Sequence, residues 1–308
     1  GDCMAIAESQ NTSNSTAFRS PLRYPGGKRK LANFISLIFH YNDLLDGEYI
    51  ELYAGGASVA LKLLFDEYVR RIHINDIDKG VYAFWHSVLN ETEDLCRLVR
   101  DTQVSMDVWN QQKRVQSASC QSLLELGFST FFLNRTNRSG IISAGVIGGK
   151  NQTGKWKLDA RYNKEDLIVR IAKIARYRER INLYNEDAVT LLRDIIPHFG
   201  PRTLLYLDPP YYVKGKRLLY TNYYRPEDHQ ELAKLVGSLR HKWIVSYDDV
   251  PEIRMLYSEY PFVDYTIHYS AQERYRGSEI MFFSPDLDLP DMQNPVSLRA
   301  DVLQRYLL

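Results

Sequence analysis

The chain has 308 residues, with 39 Lys and Arg against 38 Asp and Glu, so its formal net charge is only +1. A hydrophobic content of 44% and a charged content of 25% are typical of a globular protein and argue against a disordered chain. No apolar run approaches the ~20 residues of a membrane helix, so we expect no membrane partner. The three cysteines (Cys3, Cys96 and Cys120) lack the spacing of a zinc site or a disulfide framework. We expect one large or two smaller domains in a reducing, cytoplasmic setting.

The first 18 residues differ in composition from the rest of the chain. Residues 1–17 are rich in Ser, Thr, Asn and Gln and contain no apolar signal segment. We predict that residues 1–18 form a flexible tail.

The predicted elements alternate between strands and helices at both ends of the chain. Residues 48–53 form a strand, 59–65 a helix and 71–75 a second strand, which is a βαβ unit and implies a parallel sheet. Residues 80–133 have helical spacing of apolar side chains and no evident strand. Later strands are predicted at 181–184, 203–207 and 243–247, helices at 164–180, 188–196 and 226–239, and an antiparallel pair at 262–268 and 279–284. This order predicts an α/β core interrupted by a helical insertion.

Basic side chains are concentrated in two segments. Residues 19–30 contain five basic side chains and no acidic one, and residues 135–164 contain seven against Asp159 alone. The second segment is also rich in Gly and Asn, which predicts a long, adaptable loop with many hydrogen-bonding groups. A polyanion can bind such a chain because local patches set the field that a phosphate experiences. Solvated loops without a ligand would have the same composition.

A glycine-containing turn follows the first predicted strand, where α/β sheets bind their ligands. Gly55 and Gly56 would let the backbone approach a ligand closely, and the helix N-terminus that follows favours a carboxylate. Asp76 ends the second strand 21 residues after Gly55, where an acid that binds a ribose diol is expected. Asp78 could substitute for Asp76, and either acid could instead cap the next helix.

The motif DPPY at 208–211 directly follows the buried strand predicted at 203–207. Two prolines fix the backbone and remove two donors, so the Asp208 carboxylate and the nearby carbonyls are acceptors with little local competition. With Tyr211 following, the motif suits a planar amino group that is held by acceptors and stacked on a ring. Taken alone, the motif could also be a rigid turn with an incidental aspartate.

Five motifs, in this order, resemble those of Dam-type DNA adenine-N6 methyltransferases of the D12 class, alpha group. They are RYPGGK at 23–28, ELYAGGAS at 51–58, NDID at 75–78, NRTNRSG at 134–140 and DPPYY at 208–212. The resemblance covers roughly residues 21–284. It implies an α/β, Rossmann-like, S-adenosylmethionine-dependent methyltransferase fold with a mainly helical DNA-recognition insertion. The implied domains are a catalytic domain at 19–79 and 164–308 and a target-recognition insertion at 80–163.

The resemblance also implies an activity: methyl transfer from S-adenosylmethionine to the N6 amino group of an adenine flipped out of double-stranded DNA at a specific short sequence. The implied catalytic residues are Asp208, Pro209, Pro210 and Tyr211. The implied cofactor-binding residues are Tyr24, Gly26, Gly27, Lys28, Tyr53, Ala54, Gly55, Gly56, Ser58, Asp76, Asp187, Ala188 and Asp208. The implied DNA-binding residues are Arg23, Arg135, Asn137, Arg138, Lys150 and Tyr223. We expect no metal ion and no obligate protein partner.

Within these implied roles, the methionine carboxylate of the cofactor would lie near Lys28 and the turn at 55–58, and Asp76 would meet the ribose. Asp187 would meet the ring amino group, although it could equally cap the helix that follows. Two other functions stay open: an N-methyltransferase acting on RNA or on a protein amide, and a DNA-binding relative that has lost turnover.

Overall fold

A single seven-stranded sheet organises the core. The computed structural model describes residues 18–24, 28–213, 223–268, 276–291 and 294–307. The strand order is β3-β2-β1-β4-β5-β7-β6. The strands are β1 (Gly47–Glu51), β2 (Val69–Asn75), β3 (Ile181–Tyr184), β4 (Thr203–Leu207), β5 (Lys242–Asp248), β6 (Phe262–His268) and β7 (Arg276–Phe283). Most of the predicted tail lies outside the described residues.

The strand directions confirm the predicted α/β core. Strand β1 pairs in parallel with β2 and with β4, and β4 pairs in parallel with β5. Strand β7 is antiparallel to both β5 and β6, as predicted for the last two strands of the sheet. Because the carboxyl ends of parallel strands lie at one edge, the segments that follow β1, β2, β4 and β5 meet there.

Eleven α-helices are present in the described residues. They are α1 (Ala32–Tyr41), α2 (Ser58–Phe65), α3 (Lys79–Asn90), α4 (Thr92–Asp101), α5 (Met106–Ser117), α6 (Leu123–Thr136), α7 (Lys164–Arg176), α8 (Ala188–Thr190), α9 (Pro226–Gly237), α10 (Pro251–Leu256) and α11 (Ala300–Leu307). No helix in the described ranges combines the length and apolarity that crossing a bilayer requires.

The chain divides into two compact units. The helical unit comprises residues 78–183 together with the segment through residue 25, and the sheet unit comprises residues 26–77 and 184–308. The boundary falls within β3. The predicted insertion at 80–163 lies inside the helical unit, which also takes in α7 and thus extends further than the insertion. The assignment of DNA recognition and catalysis to separate domains stays a prediction.

The core of the sheet unit follows from its apolar strands. The sequence TLLYL of β4 is buried at all five positions, as expected for a central strand covered on both faces. Leu205 of β4, Val245 of β5 and Phe282 of β7 belong to one buried cluster. Leu232 and Val236 of α9 belong to the same cluster, which therefore joins the sheet to a helix.

The predicted end of the helix at 188–196 is wrong by one turn. After α8 the chain continues as a π-helical turn at Leu191–Ile195 and a 3₁₀ turn at Ile196–His198. Pro197 therefore lies in the first turn of that 3₁₀ segment instead of stopping the helix before it. A proline is tolerated there because the N–H groups of a first helical turn need no partner within the helix.

The helical unit is packed through aromatic side chains and one close helix approach. The Phe84 ring of α3 stacks on the Phe131 ring of α6 with centroids 5.6 Å apart. At Gly127 of α6 a Cβ would come within 2.5 Å of the Ala83 carbonyl oxygen, so glycine permits the two helices to approach. Helix α6 begins with a capping box formed by Ser122 and Glu125.

Candidate functional site

The turn after β1 is tied to the end of β2 by backbone groups. The Gly55 amide donates to Asp76 Oδ2 over 2.9 Å, and the Ala54 amide donates to the Asn75 carbonyl over 2.8 Å. Gly55 has φ +51°, in the left-handed region that glycine adopts without strain. The predicted pairing of a glycine turn with an acid 21 residues later is therefore present as a direct contact.

Asn75 is a site residue that the sequence reasoning assigned no role. Its buried amide donates to the Leu52 carbonyl (2.9 Å) and to the Glu186 carbonyl (3.0 Å), and it accepts from the Glu186 amide (2.9 Å). One side chain thus joins the ends of β1 and β2 to the segment after β3. Its position inside NDID, at the end of an apolar strand, was the available signal.

The remaining residues of the predicted cofactor site lie in several places. The Tyr53 hydroxyl is 2.7 Å from the Tyr224 hydroxyl, Gly56 is buried, and Ser58 is the first residue of α2. Tyr24 is 54% exposed. Gly26 and Gly27 lie outside the described residues.

Two aspartates that were candidate ligands are helix caps. Asp187 Oδ1 accepts from the Val189 amide over 2.8 Å, at the start of α8, and Ala188 behind it is buried. Asp78 Oδ1 accepts from the Val81 amide over 3.0 Å, at the start of α3. Capping was the alternative role for both, and each cap uses one carboxylate oxygen.

The aspartate of the DPPY motif at 208–211 is held through one oxygen. Asp208 Oδ1 accepts a hydrogen bond from Ser246 Oγ (3.2 Å) and lies 3.3 Å from Lys28 Nζ. Ser246 lies on β5, and its hydroxyl is also 2.7 Å from the Tyr206 hydroxyl. The two contacts fix the plane of the carboxylate at the end of β4.

Lys28 lies between two carboxylates. Its ammonium nitrogen is inaccessible, although a quarter of the side chain is exposed, and it is 3.3 Å from Asp208 and 3.8 Å from Glu279. Burial alone lowers the pKa of Lys28, but attraction to Asp208, with a smaller effect from Glu279, raises that pKa well above its ordinary value. Lys28 therefore stays a cation. The structure places Lys28 beside Asp208, and its place near a cofactor carboxylate stays a prediction.

The aromatic part of the motif is anchored at two points. The Tyr211 hydroxyl donates to Glu279 Oε1, while 44% of the residue remains exposed. The Tyr212 amide donates to Asp248 Oδ1 over 3.0 Å, at the end of β5. Pro209, which lies in sequence between β4 and these two tyrosines, is buried. The arrangement offers a carboxylate, a carbonyl and an exposed ring side by side, which suits binding of a planar amino group.

Asn137, a predicted DNA contact, lies in the interior of the helical unit. The residue is fully buried; its Oδ1 accepts from Trp109 Nε1 (2.7 Å), and its Nδ2 donates to the carbonyls of Ile141 (3.1 Å) and Ile142 (3.0 Å). These bonds occupy the groups that would read a base edge. Asn137 holds the start of the basic loop instead of facing a ligand.

Arg135 and Arg23 are engaged in the same way. Arg135 is buried, and its Nε donates to the Arg161 carbonyl over 2.7 Å. The Arg23 guanidinium donates to the Asn137 carbonyl over 3.0 Å, and its backbone amide donates to Asn134 Oδ1 over 2.7 Å. These bonds organise the helical unit and leave little surface of Arg135 for a DNA contact, whereas half-buried Arg23 stays a predicted contact.

The rest of the basic loop is knitted around Gln152. Its Nε2 donates to the carbonyls of Ile147 (2.7 Å) and Gly149 (2.9 Å), and its Oε1 accepts from the Leu158 amide (3.0 Å). Lys157 Nζ donates to the Gln152 carbonyl over 2.6 Å. The loop is thus internally bonded, whereas its composition predicted an adaptable one.

Some basic and aromatic side chains of the loop face solvent. Arg138 and Lys150 are exposed, as a DNA contact requires. Trp156 is 60% exposed, with Lys155 Nζ 5.6 Å from its ring centroid, and was not among the predicted residues. Tyr223, the last predicted contact, is half-buried. The described residues contain no cluster of acidic, His or Cys side chains able to hold a metal ion.

Comparisons with known proteins give one informative match. No curated protein matches the chain. A candidate RNA methyltransferase from Pyrococcus horikoshii is similar with a TM-score of 0.41 and 9% identity, over 92% of this chain and 97% of that one. A modification subunit of a candidate type I restriction enzyme from Vibrio vulnificus is similar with a TM-score of 0.40 and 7% identity, over 98% of this chain and 55% of that one. At these values neither structure informs the function of this chain.

The family match is of a different kind, because it spans most of the chain. Residues 24–275 match the family described as D12 class N6 adenine-specific DNA methyltransferase. That range includes the turn after β1, the basic loop and the motif after β4. Together with the seven-stranded sheet, it confirms the predicted Rossmann-like methyltransferase fold. The chain therefore belongs to the D12 class of N6 adenine-specific DNA methyltransferases.

Proposed function

We propose that this protein transfers a methyl group from S-adenosylmethionine to the N6 amino group of an adenine in double-stranded DNA, at a specific short sequence. The observation that carries the proposal is the Asp208 carboxylate, held through Oδ1 by Ser246 and Lys28 at the carboxyl end of β4. A carboxylate oriented before the substrate binds can hold an amino group without a reorganisation cost.

The residues after β1 and β2 fit the cofactor that the family implies. The turn at 54–58 brings backbone close to the Asp76 carboxylate, and this combination suits a ribose diol next to a glycine turn. Bound S-adenosylmethionine supplies an electrophilic methyl group. Asp76 and the turn would bind and orient it, with Lys28, beside Asp208, as the cation near its carboxylate.

Asp208 and its neighbours would prepare the nucleophile. Since the described contacts of the carboxylate use Oδ1, we assign Oδ2 and the Pro209 carbonyl as acceptors for the two hydrogens of the amino group. Two acceptors draw the nitrogen toward tetrahedral geometry and localise its lone pair for attack. The nitrogen would gain the methyl group as the bond between the methyl carbon and the cofactor sulfur breaks, which leaves S-adenosylhomocysteine, and would lose one proton to solvent. The exposed ring of Tyr211 would stack on the adenine, which must leave the duplex to reach this site.

Exposed groups of the basic loop support DNA as the substrate. Arg138 and Lys150 are free of burial and suit phosphate or base-edge contacts. The exposed ring of Trp156 beside Lys155 suits stacking on a base. The internal bonds of Gln152 hold the loop in one shape before DNA binds. Tyr223 remains a proposed contact.

The test is methylation of plasmid DNA prepared without adenine methylation, using labelled cofactor, followed by sequencing for modified adenines. Modified adenines within one recurring short sequence would support both the reaction and its specificity. Asp208→Ala should lower the rate about 100- to 1000-fold with DNA binding retained. Asp94→Ala, which removes an exposed aspartate paired with Arg97, serves as the matched control.

Two outcomes would contradict the proposal. If the wild-type protein is inactive on every DNA but methylates RNA or a protein amide, the substrate is RNA or protein instead of DNA. A protein that binds DNA and methylates nothing would be a binding relative that has lost turnover.

A further inference from the structure

Glu279 lies outside every motif that the sequence singles out, yet it is the most deeply placed carboxylate of the candidate active site. It lies on β7, where it pairs with Asp248 of β5 on one side and with Tyr265 of β6 on the other. Its side chain is 2% exposed. A buried carboxylate is costly unless donors and a positive charge surround it, so its position requires partners.

Tyr211 and Lys28, two partners of Glu279, belong to the candidate active site. Oε1 accepts the hydrogen bond of the Tyr211 hydroxyl, and Oε2 lies 3.8 Å from Lys28 Nζ. Lys28 in turn lies 3.3 Å from Asp208 Oδ1. The contacts connect Tyr211 through Glu279 and Lys28 to Asp208, so Lys28 is shared between two carboxylates.

The geometry of Tyr211 indicates what these contacts do. Its hydroxyl end is fixed by a buried acceptor, while 44% of the residue is exposed. A ring whose hydroxyl is held by a buried acceptor has a restricted plane before any ligand binds. Preorganisation of this kind lowers the cost of placing a reactant within reach of the groups that act on it.

We infer that Glu279 is a positioning residue that fixes the plane of the Tyr211 ring, on which the target base stacks. Through Lys28, which both carboxylates contact, it also holds that ring at a fixed position relative to the Asp208 acceptor. The inference rests on the proposed function. It concerns no covalent step, since the proposed role of Glu279 is exerted through Tyr211 and Lys28.

The test is a double-mutant cycle on the full-length protein with Tyr211→Phe, Glu279→Gln and the combination. Tyr211→Phe removes only the hydroxyl, and Glu279→Gln keeps the shape and an acceptor oxygen but removes the charge. Single-turnover methylation of DNA is measured, with extrusion of 2-aminopurine at the target position followed by fluorescence. Glu259→Gln, at an exposed glutamate, is the matched control.

We expect each single variant to lower the single-turnover rate about 10- to 100-fold with little change in the KM for the cofactor. The double variant should be no slower than the slower single variant, because Tyr211→Phe removes the hydrogen bond that Glu279→Gln weakens by replacing a carboxylate acceptor with a neutral amide oxygen. The ¹³Cζ resonance of Tyr211 in the free protein should move in Glu279→Gln and stay in place in Glu259→Gln. A thermal unfolding scan of each variant identifies any loss of folded protein, which a merely structural role would produce instead.

The outcomes separate this inference from the proposed function. Suppose that the wild-type protein is active. If the rate losses of the two single variants then multiply in the double variant, or if the Tyr211 resonance does not move in Glu279→Gln, the inference is wrong and the proposed function stands. A wild-type protein that methylates no DNA overturns the proposed function and, with it, the stacking role of Tyr211.

Discussion

Glu51 is a buried carboxyl at the end of β1, directly before the glycine turn. It is 6% exposed, and its Oε1 accepts a hydrogen bond from the Ala60 amide over 2.8 Å. Burial raises the pKa of Glu51 from its ordinary value of 4.5 to about 7, although the Ala60 hydrogen bond acts in the opposite direction. The native state therefore holds a proton on Glu51 in a range where the unfolded chain has released it.

The size and sign of the effect follow from proton linkage. Below pH 4.5 both states bind the proton, and Glu51 imposes no pH dependence on folding. As pH rises from 4.5 to about 7, the native state binds more protons than the unfolded state, so the free energy of unfolding falls. At about 1.4 kcal/mol for each pH unit, the full loss is about 3 kcal/mol and is complete above pH 7.

The perturbation is Glu51→Gln, which is neutral at every pH and keeps an oxygen for the Ala60 amide. We expect the variant to match the wild-type protein near pH 4.5 and to exceed its free energy of unfolding by about 3 kcal/mol at pH 8. Urea denaturation at half-unit steps of pH measures the difference, and Glu231→Gln at an exposed position of α9 controls for the loss of one negative charge. A difference between variant and wild type that is constant across this range would refute the reasoning.

Two further predictions concern the helical unit. Asn137→Ala removes three buried side-chain hydrogen bonds and should lower the free energy of unfolding by about 2–4 kcal/mol, measured by urea denaturation; a loss below about 0.5 kcal/mol would contradict its role as the anchor of the basic loop. Arg138→Ala and Lys150→Ala should each reduce the slope of log affinity against log salt by about 0.9, measured by DNA titration between 50 and 200 mM salt. Unchanged slopes in both variants would remove these side chains from the DNA interface, with exposed Arg97→Ala as the control.

The strands of this protein were predictable because apolar runs between turn residues have few other conformations. The strands at 181–184, 203–207 and 262–268 have the predicted bounds, and the others differ by a few residues at their ends. The pairing of the glycine turn with Asp76 was predictable for a related reason. In a βαβ unit the carboxyl ends of neighbouring parallel strands lie at one edge, so chain order alone brings those two groups together.

The basic loop shows where composition misleads. Arg and Asn suit base edges, but their donors and acceptors equally suit the backbone carbonyls of an irregular loop. Residue type does not distinguish Arg138, which faces solvent, from Arg135, which lies three residues before it. Arg135 is buried and donates to the Arg161 carbonyl. The direction of each side chain is set by how the loop closes on Asn137 and Gln152, and residue type does not specify which backbone groups these two side chains bind.

By itself the sequence determined the order of the elements, the position of the DPPYY motif after a buried strand and the family to which the chain belongs, because these depend on local patterns. Only the tertiary structure decided that Lys28 faces Asp208, that Ser246 holds the same carboxylate, and that Glu279 anchors Tyr211. These partners lie on the sheet unit's separate segments, and Glu279 enters the site through the antiparallel register of β7 against β5. Strand pairing brings together residues that have no fixed spacing in the sequence, so no sequence motif predicts these contacts.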